Sequence, residues 1–89
     1  MKKEIFICDY AGREKKIVID RFEMVKAIYV LEISGDQALD VLYKDGRTVW
    51  FDSCDTRITH YFDDGYFLEL TDEALKKFSE DNRNMRKYE

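Results

Sequence analysis

Short stretches in which apolar and polar residues alternate fill most of the chain, and only its last quarter changes to a helical spacing. Alternation with a period of two marks half-buried strands, whereas recurrence at three and four residues marks a helix facing a core. Residues 4–8 and 16–20 predict a first hairpin around Asp9-Tyr10-Ala11-Gly12-Arg13. Residues 21–33 carry two signals. Asp20 and Glu23 resemble a capping box, with Phe22, Val25 and Tyr29 at helical spacing. Against that, Ala27, Tyr29, Leu31 and Ile33 alternate with Ile28, Val30 and Glu32. The β-branched and aromatic residues after Ala27 decide for a strand over about 26–33, following at most one helical turn and ending at Ser34-Gly35-Asp36.

Two Asp-Gly dipeptides then divide β-rich runs. Asp45-Gly46 sits inside residues 39–51 and suits a type I′ turn, whose twist matches that of its flanking strands. A two-residue loop sets Lys44 opposite Arg47, Tyr43 opposite Thr48, Leu42 opposite Val49 and Val41 opposite Trp50. Tyr43, Val41 and Trp50 then share one face, and Leu42, Val49 and Phe51 the other, so this hairpin belongs in the middle of a sheet. Asp64-Gly65 divides residues 58–70 in the same way, and the polar stretch Asp52-Ser53-Cys54-Asp55-Thr56-Arg57 joins the hairpins end to end.

Thr71 is a good N-cap, and Asp72 and Glu73 place negative charge at the positive end of a helix dipole. Ala74, Leu75 and Phe78 form its apolar stripe, with Met85 extending it, while Lys76, Lys77 and Arg83 face water. The pattern predicts an α+β domain over residues 1–89. It is an antiparallel β-meander of five to six strands with one C-terminal helix packed on one face through Leu75 and Phe78, and a polar tail that frays from about residue 81.

Composition narrows the class. A chain of 89 residues that is 45% hydrophobic has material for one modest core and is too apolar to be disordered. The longest apolar run, residues 27–31, is five residues, far short of the ~20 that span a bilayer. Ile5-Phe6-Ile7-Cys8 is too short for a signal-peptide core, which suggests a cytoplasmic protein. Cys8 and Cys54 form no C-x-x-C pair and are expected as separate thiols unless the fold brings them together.

Charge changes the picture most. The net charge is -4, yet residues 32–73 hold eleven acids against Lys44, Arg47 and Arg57, a local balance of -8 flanked by basic ends. The same segment carries seven of the thirteen aromatics. Asp residues are at home in turns, so solvated turn carboxylates account for part of this. The remainder suggests a surface that attracts a basic partner, with aromatics as anchors. The residues expected to bind are Asp45, Trp50, Asp52, Asp55, Asp63, Asp64 and Tyr66.

Other chemistry has weaker support. His60 with Cys54 could form a nucleophile and base only if the fold joined them. Asp52, Asp55, Asp63 and Asp64 lack the spacing of a calcium loop, and no zinc pattern is present, so neither metal nor cofactor is expected. The acidic centre disfavours direct nucleic-acid binding. The expectation is a non-enzymatic interaction protein that binds a basic, nucleic-acid-binding protein, as an inhibitor or accessory protein of a mobile element does by mimicking nucleic-acid charge. The alternative is a small-molecule module with a pocket lined by Tyr43, Trp50 and Tyr61 between sheet and helix. So many aromatics on both sheet faces also suggest a homodimer.

Overall fold

The structure, a computed structural model, describes residues 1–33, 35–53 and 65–85. Its elements are β1 (Lys3–Cys8), β2 (Glu14–Ile19), a 3-10 turn (Phe22–Met24), β3 (Val25–Ile33), β4 (Asp36–Tyr43), β5 (Thr48–Asp52), β6 (Gly65–Leu68) and α1 (Asp72–Met85). Every strand pairing is antiparallel. The expected α+β class is present, with strands first and a helix last. The chain path differs from a simple meander in two respects. The β1–β2 hairpin forms a sheet of its own, and β6 pairs with β3, giving the second sheet the order β5-β4-β3-β6. β5 and β6 therefore lie at opposite edges of that sheet and are not neighbours.

Both sheets bury one face in a shared core. Ile5 and Ile7 of β1, with Ile17 and Ile19 of β2, meet Ile28 and Val30 of β3 and Leu39, Val41 and Tyr43 of β4. Val25, Leu68, Leu75 and Phe78 complete the cluster, so the helix packs through the two residues its stripe predicted. Two layers result: the β1–β2 hairpin and α1 in one, the four-stranded sheet in the other. A sheet with a single apolar face is stable only when something covers that face.

The helix also closes the edge of β1 that β2 leaves free. The Phe6 amide donates to Ser79 Oγ at 3.1 Å, and Asn82 Nδ2 donates to the Phe6 carbonyl at 2.7 Å. An uncovered strand edge is a template for unwanted pairing, and α1 removes it with side chains. Asn82 is buried and holds its turn in place, so the helix runs past residue 81 to Met85 where fraying was expected. At the other end the expected cap is present, with the Ala74 amide donating to Thr71 Oγ1 at 3.1 Å.

A polar knot lies where β1, β4 and α1 meet. Gln37 Oε1 accepts from the Cys8 amide at 3.0 Å, and Gln37 Nε2 donates to Asn82 Oδ1 at 3.1 Å. The Cys8 thiol donates to the same Gln37 oxygen at 3.5 Å. Burial first, then the carboxylates of Glu32, Asp9 and Asp36, push the Cys8 thiol pKa up. Among the described residues no buried side-chain nitrogen or oxygen lacks a partner, so the knot fixes the relation of the two layers without an orphaned group.

The β4–β5 turn corrects the expected register. Leu42 pairs with Thr48, Val41 with Val49 and Asp40 with Trp50, one residue away from the two-residue-loop arrangement. The loop is Lys44-Asp45-Gly46, closed by the Tyr43 amide donating to the Arg47 carbonyl at 2.8 Å and the Gly46 amide to the Tyr43 carbonyl at 2.9 Å. Of these loop residues only Gly46 has positive φ, at 91°, whereas a type I′ turn needs two such residues. Asp45 Oδ1 accepts from the Arg47 amide at 2.9 Å and favours the longer loop. The slip sends Val49 and Phe51 to the core side and Trp50 to the opposite face.

Candidate functional site

Among the described residues, the face of the four-stranded sheet turned away from the core has neither helix nor hairpin over it. Ala27, Tyr29 and Leu31 of β3 point this way, as do Asp40 and Leu42 of β4, and the registers place Thr48, Trp50, Asp52 and Phe67 beside them. Ala38, near one end, is buried, but the face opens toward the other: Phe67 is 71% exposed and Trp50 39%. Large aromatics left in water over one sheet face are the usual mark of an interaction surface.

Tyr29 and Phe67 form its aromatic wall, with ring centroids 4.8 Å apart and planes at 64°. Gly65 makes this possible. A Cβ there would lie 2.5 Å from Tyr29 Cε1, so only glycine lets the ring rest across β6. Beside the wall is a shallow hollow of about 450 Å³, lined by Ala27, Tyr29, Asp40, Leu42, Thr48 and Phe67. Asp40 is half-buried in it, between Tyr29 on one neighbouring strand and Trp50 on the other. No hydrogen bond or ion pair ties the Asp40 carboxylate to the described residues.

Of the seven residues expected to bind, the structure brings Trp50 and Asp52 together here, where Trp50 Nε1 donates to Asp52 Oδ2 at 3.3 Å. Asp45 lies in the turn at the other end of β5, where it caps the loop. Tyr66 pairs with Val30 and so points to the helix side of the sheet. Partial burial, with Glu32 and Asp81 nearby, raises its hydroxyl pKa. Asp55, Asp63 and Asp64 lie outside the described residues, as do Cys54, His60 and Tyr61.

The central carboxylates that are described are spread over the molecule. Asp72 is paired with Lys3 at 2.7 Å, and Asp36 accepts from the Tyr10 amide at 2.9 Å. Asp40 and Asp52 stand on the open face, and the Lys15 ammonium donates to the backbone carbonyl of Asp52 at 2.8 Å. Tyr43, expected to share a pocket with Trp50, is instead buried on the core side with its hydroxyl donating to the Asp20 carbonyl at 2.7 Å. Sequence reasoning missed Tyr29, Asp40 and Phe67. For Tyr29 and Asp40 the signal was the alternation within 27–31 and 38–42, which already separates two faces.

Among the described residues no three of His, Cys, Asp and Glu converge as a metal site would require, and no helix is long and apolar enough to cross a membrane. Compared with known proteins, the chain matches no family model, no curated protein and no solved structure.

Proposed function

We propose that this chain is a small, non-enzymatic interaction protein that presents the open face of its four-stranded sheet to a basic protein surface. The observation that carries this reading is the composition of that face: Tyr29, Trp50 and Phe67 stand around the Asp40 carboxylate, which has no partner among the described residues, with Asp52 on the same side. Aromatic anchors supply desolvated contact area, and carboxylates steer and select a cationic partner. A partner of this kind is a protein whose basic surface otherwise meets nucleic acid, which fits an inhibitor or accessory role. A cytoplasmic setting belongs to the same reading, since the buried Cys8 is unbridged.

Capture of partners on the immobilised protein tests it, at about 0.1 M and about 1 M salt, where the screening length falls from about 10 Å to about 3 Å. The species retained by the wild type at low salt are expected to be lost at high salt and from a Trp50→Ser/Phe67→Ser variant. A retained set indifferent to both changes overturns the reading.

A further inference from the structure

We propose that the hollow beside Tyr29 and Phe67 receives one arginine side chain of the partner, its guanidinium seated on the Asp40 carboxylate. This rests on the reading that the open face binds a basic protein, and it names the group that enters. Three features of the hollow select the occupant. Among the described lining residues the one charge is the half-buried Asp40, which has no partner among them, and an unpaired carboxylate at a dry interface is costly unless a cation meets it. Its wall is the Tyr29–Phe67 pair, on whose ring faces a planar, weakly hydrated guanidinium stacks better than a compact ammonium does. Its floor, from Ala27, Leu42 and Thr48, is small and largely apolar, which suits the methylene stem of the incoming side chain. A guanidinium can also donate two parallel hydrogen bonds to one carboxylate, an arrangement no ammonium can copy. A neutral apolar ligand would cover Asp40 without compensating it.

Amide chemical-shift mapping of the isotope-labelled protein with the tripeptide acetyl-Gly-Arg-Gly-amide tests the assignment. Shifts are expected at Ala27, Tyr29, Asp40, Leu42, Thr48 and Phe67. They should vanish with the citrulline tripeptide, which keeps the shape and lacks the charge, and be weaker with the lysine one. Asp40→Asn should weaken arginine binding about tenfold or more, as expected when a charged hydrogen-bond acceptor is lost, whereas Glu73→Gln, at the start of the helix, leaves it unchanged. Shifts of equal size with citrulline, or an unaltered titration in Asp40→Asn, overturn the proposal. If the salt-sensitive capture of a basic partner persists in Asp40→Asn, the hollow assignment fails while the interaction reading stands. If capture is lost from the Trp50→Ser/Phe67→Ser variant and from Asp40→Asn alike, both hold.

Discussion

Asp40 and Trp50 stand directly opposite each other on β4 and β5, on the side of the sheet that the core does not use. Their pairing depends on a three-residue loop whose last member, Gly46, has φ 91°. A Cβ at Gly46 would meet nothing within 4 Å, so the penalty of adding one is purely that of the backbone. Gly46→Ala is expected to cost about 1 kcal/mol, read as a lower urea midpoint with an unchanged slope. Deleting Lys44 forces the two-residue loop, turns Trp50 inward and exposes Val49 and Phe51. That variant should lose several times as much stability, about 3 kcal/mol or more, if it folds at all.

The knot of Cys8, Gln37 and Asn82 makes a different demand. Replacing Asn82 by alanine removes its hydrogen bonds with Gln37 Nε2 and with the Phe6 carbonyl. Loss of the buried bond to Gln37 together with the part-buried one to Phe6 should cost about 2–4 kcal/mol in urea unfolding. Ser79→Ala removes only the one part-buried hydrogen bond from the Phe6 amide and should cost about 1 kcal/mol. Equal effects from the two variants would contradict the knot as the joint between the layers.

Asp9 gives the protein an acid-sensitive contact. Burial pulls its carboxyl pKa up, but the amides of Arg13 and Ala11 and the Arg13 guanidinium outweigh this and hold it below the usual carboxylate range. A depressed native pKa means that the unfolded chain binds the proton first as pH falls. The contact therefore adds stability above about pH 4 and loses it as the medium becomes more acid. Asp9→Ala should cost about 1.5–3 kcal/mol near pH 7, and the gap between wild type and variant should close toward pH 3. Urea midpoints measured across that range check it.

Cys8 acts with the opposite sign. Its pKa is raised by burial and by Glu32, Asp9 and Asp36, so the folded protein keeps the thiol proton after the unfolded chain has released it. Stability from this group is complete below the free thiol value of about 8.5 and is lost as pH rises through the native value. Cys8→Ala should flatten the alkaline loss of stability. In the native wild type, alkylation of Cys8 should be slow and should follow unfolding.

Local chemistry made most of the fold legible. Alternation located β1 to β4, and the Thr71 cap with the Leu75 and Phe78 stripe located the helix, because these signals act over a few residues. What the sequence hid was decided at longer range. The partner of β6 is β3, a choice made by burial of Leu68 and by room for Tyr29 over Gly65, neither of which a linear pattern displays. The Asp45-Gly46 dipeptide supports both two- and three-residue loops, and the core's demand for Val49 and Phe51 selects between them. That selection moved Trp50 to the face where Asp40 stands. Asn82 did leave a trace: it continues the Leu75 and Phe78 stripe at helical spacing, and a polar residue at a core position announces a buried hydrogen bond.

Trp50 is the only tryptophan, so protein labelled with 5-fluorotryptophan carries a single fluorine resonance, on the β5 edge of the open face. Recording that resonance while a captured basic partner is added tests directly whether this face is where binding occurs. A shift or broadening at about 0.1 M salt, reversed at about 1 M, is the expected result. A resonance that stays unchanged while the complex forms, or one that shifts with protein concentration alone because a second copy occupies the face, would contradict it.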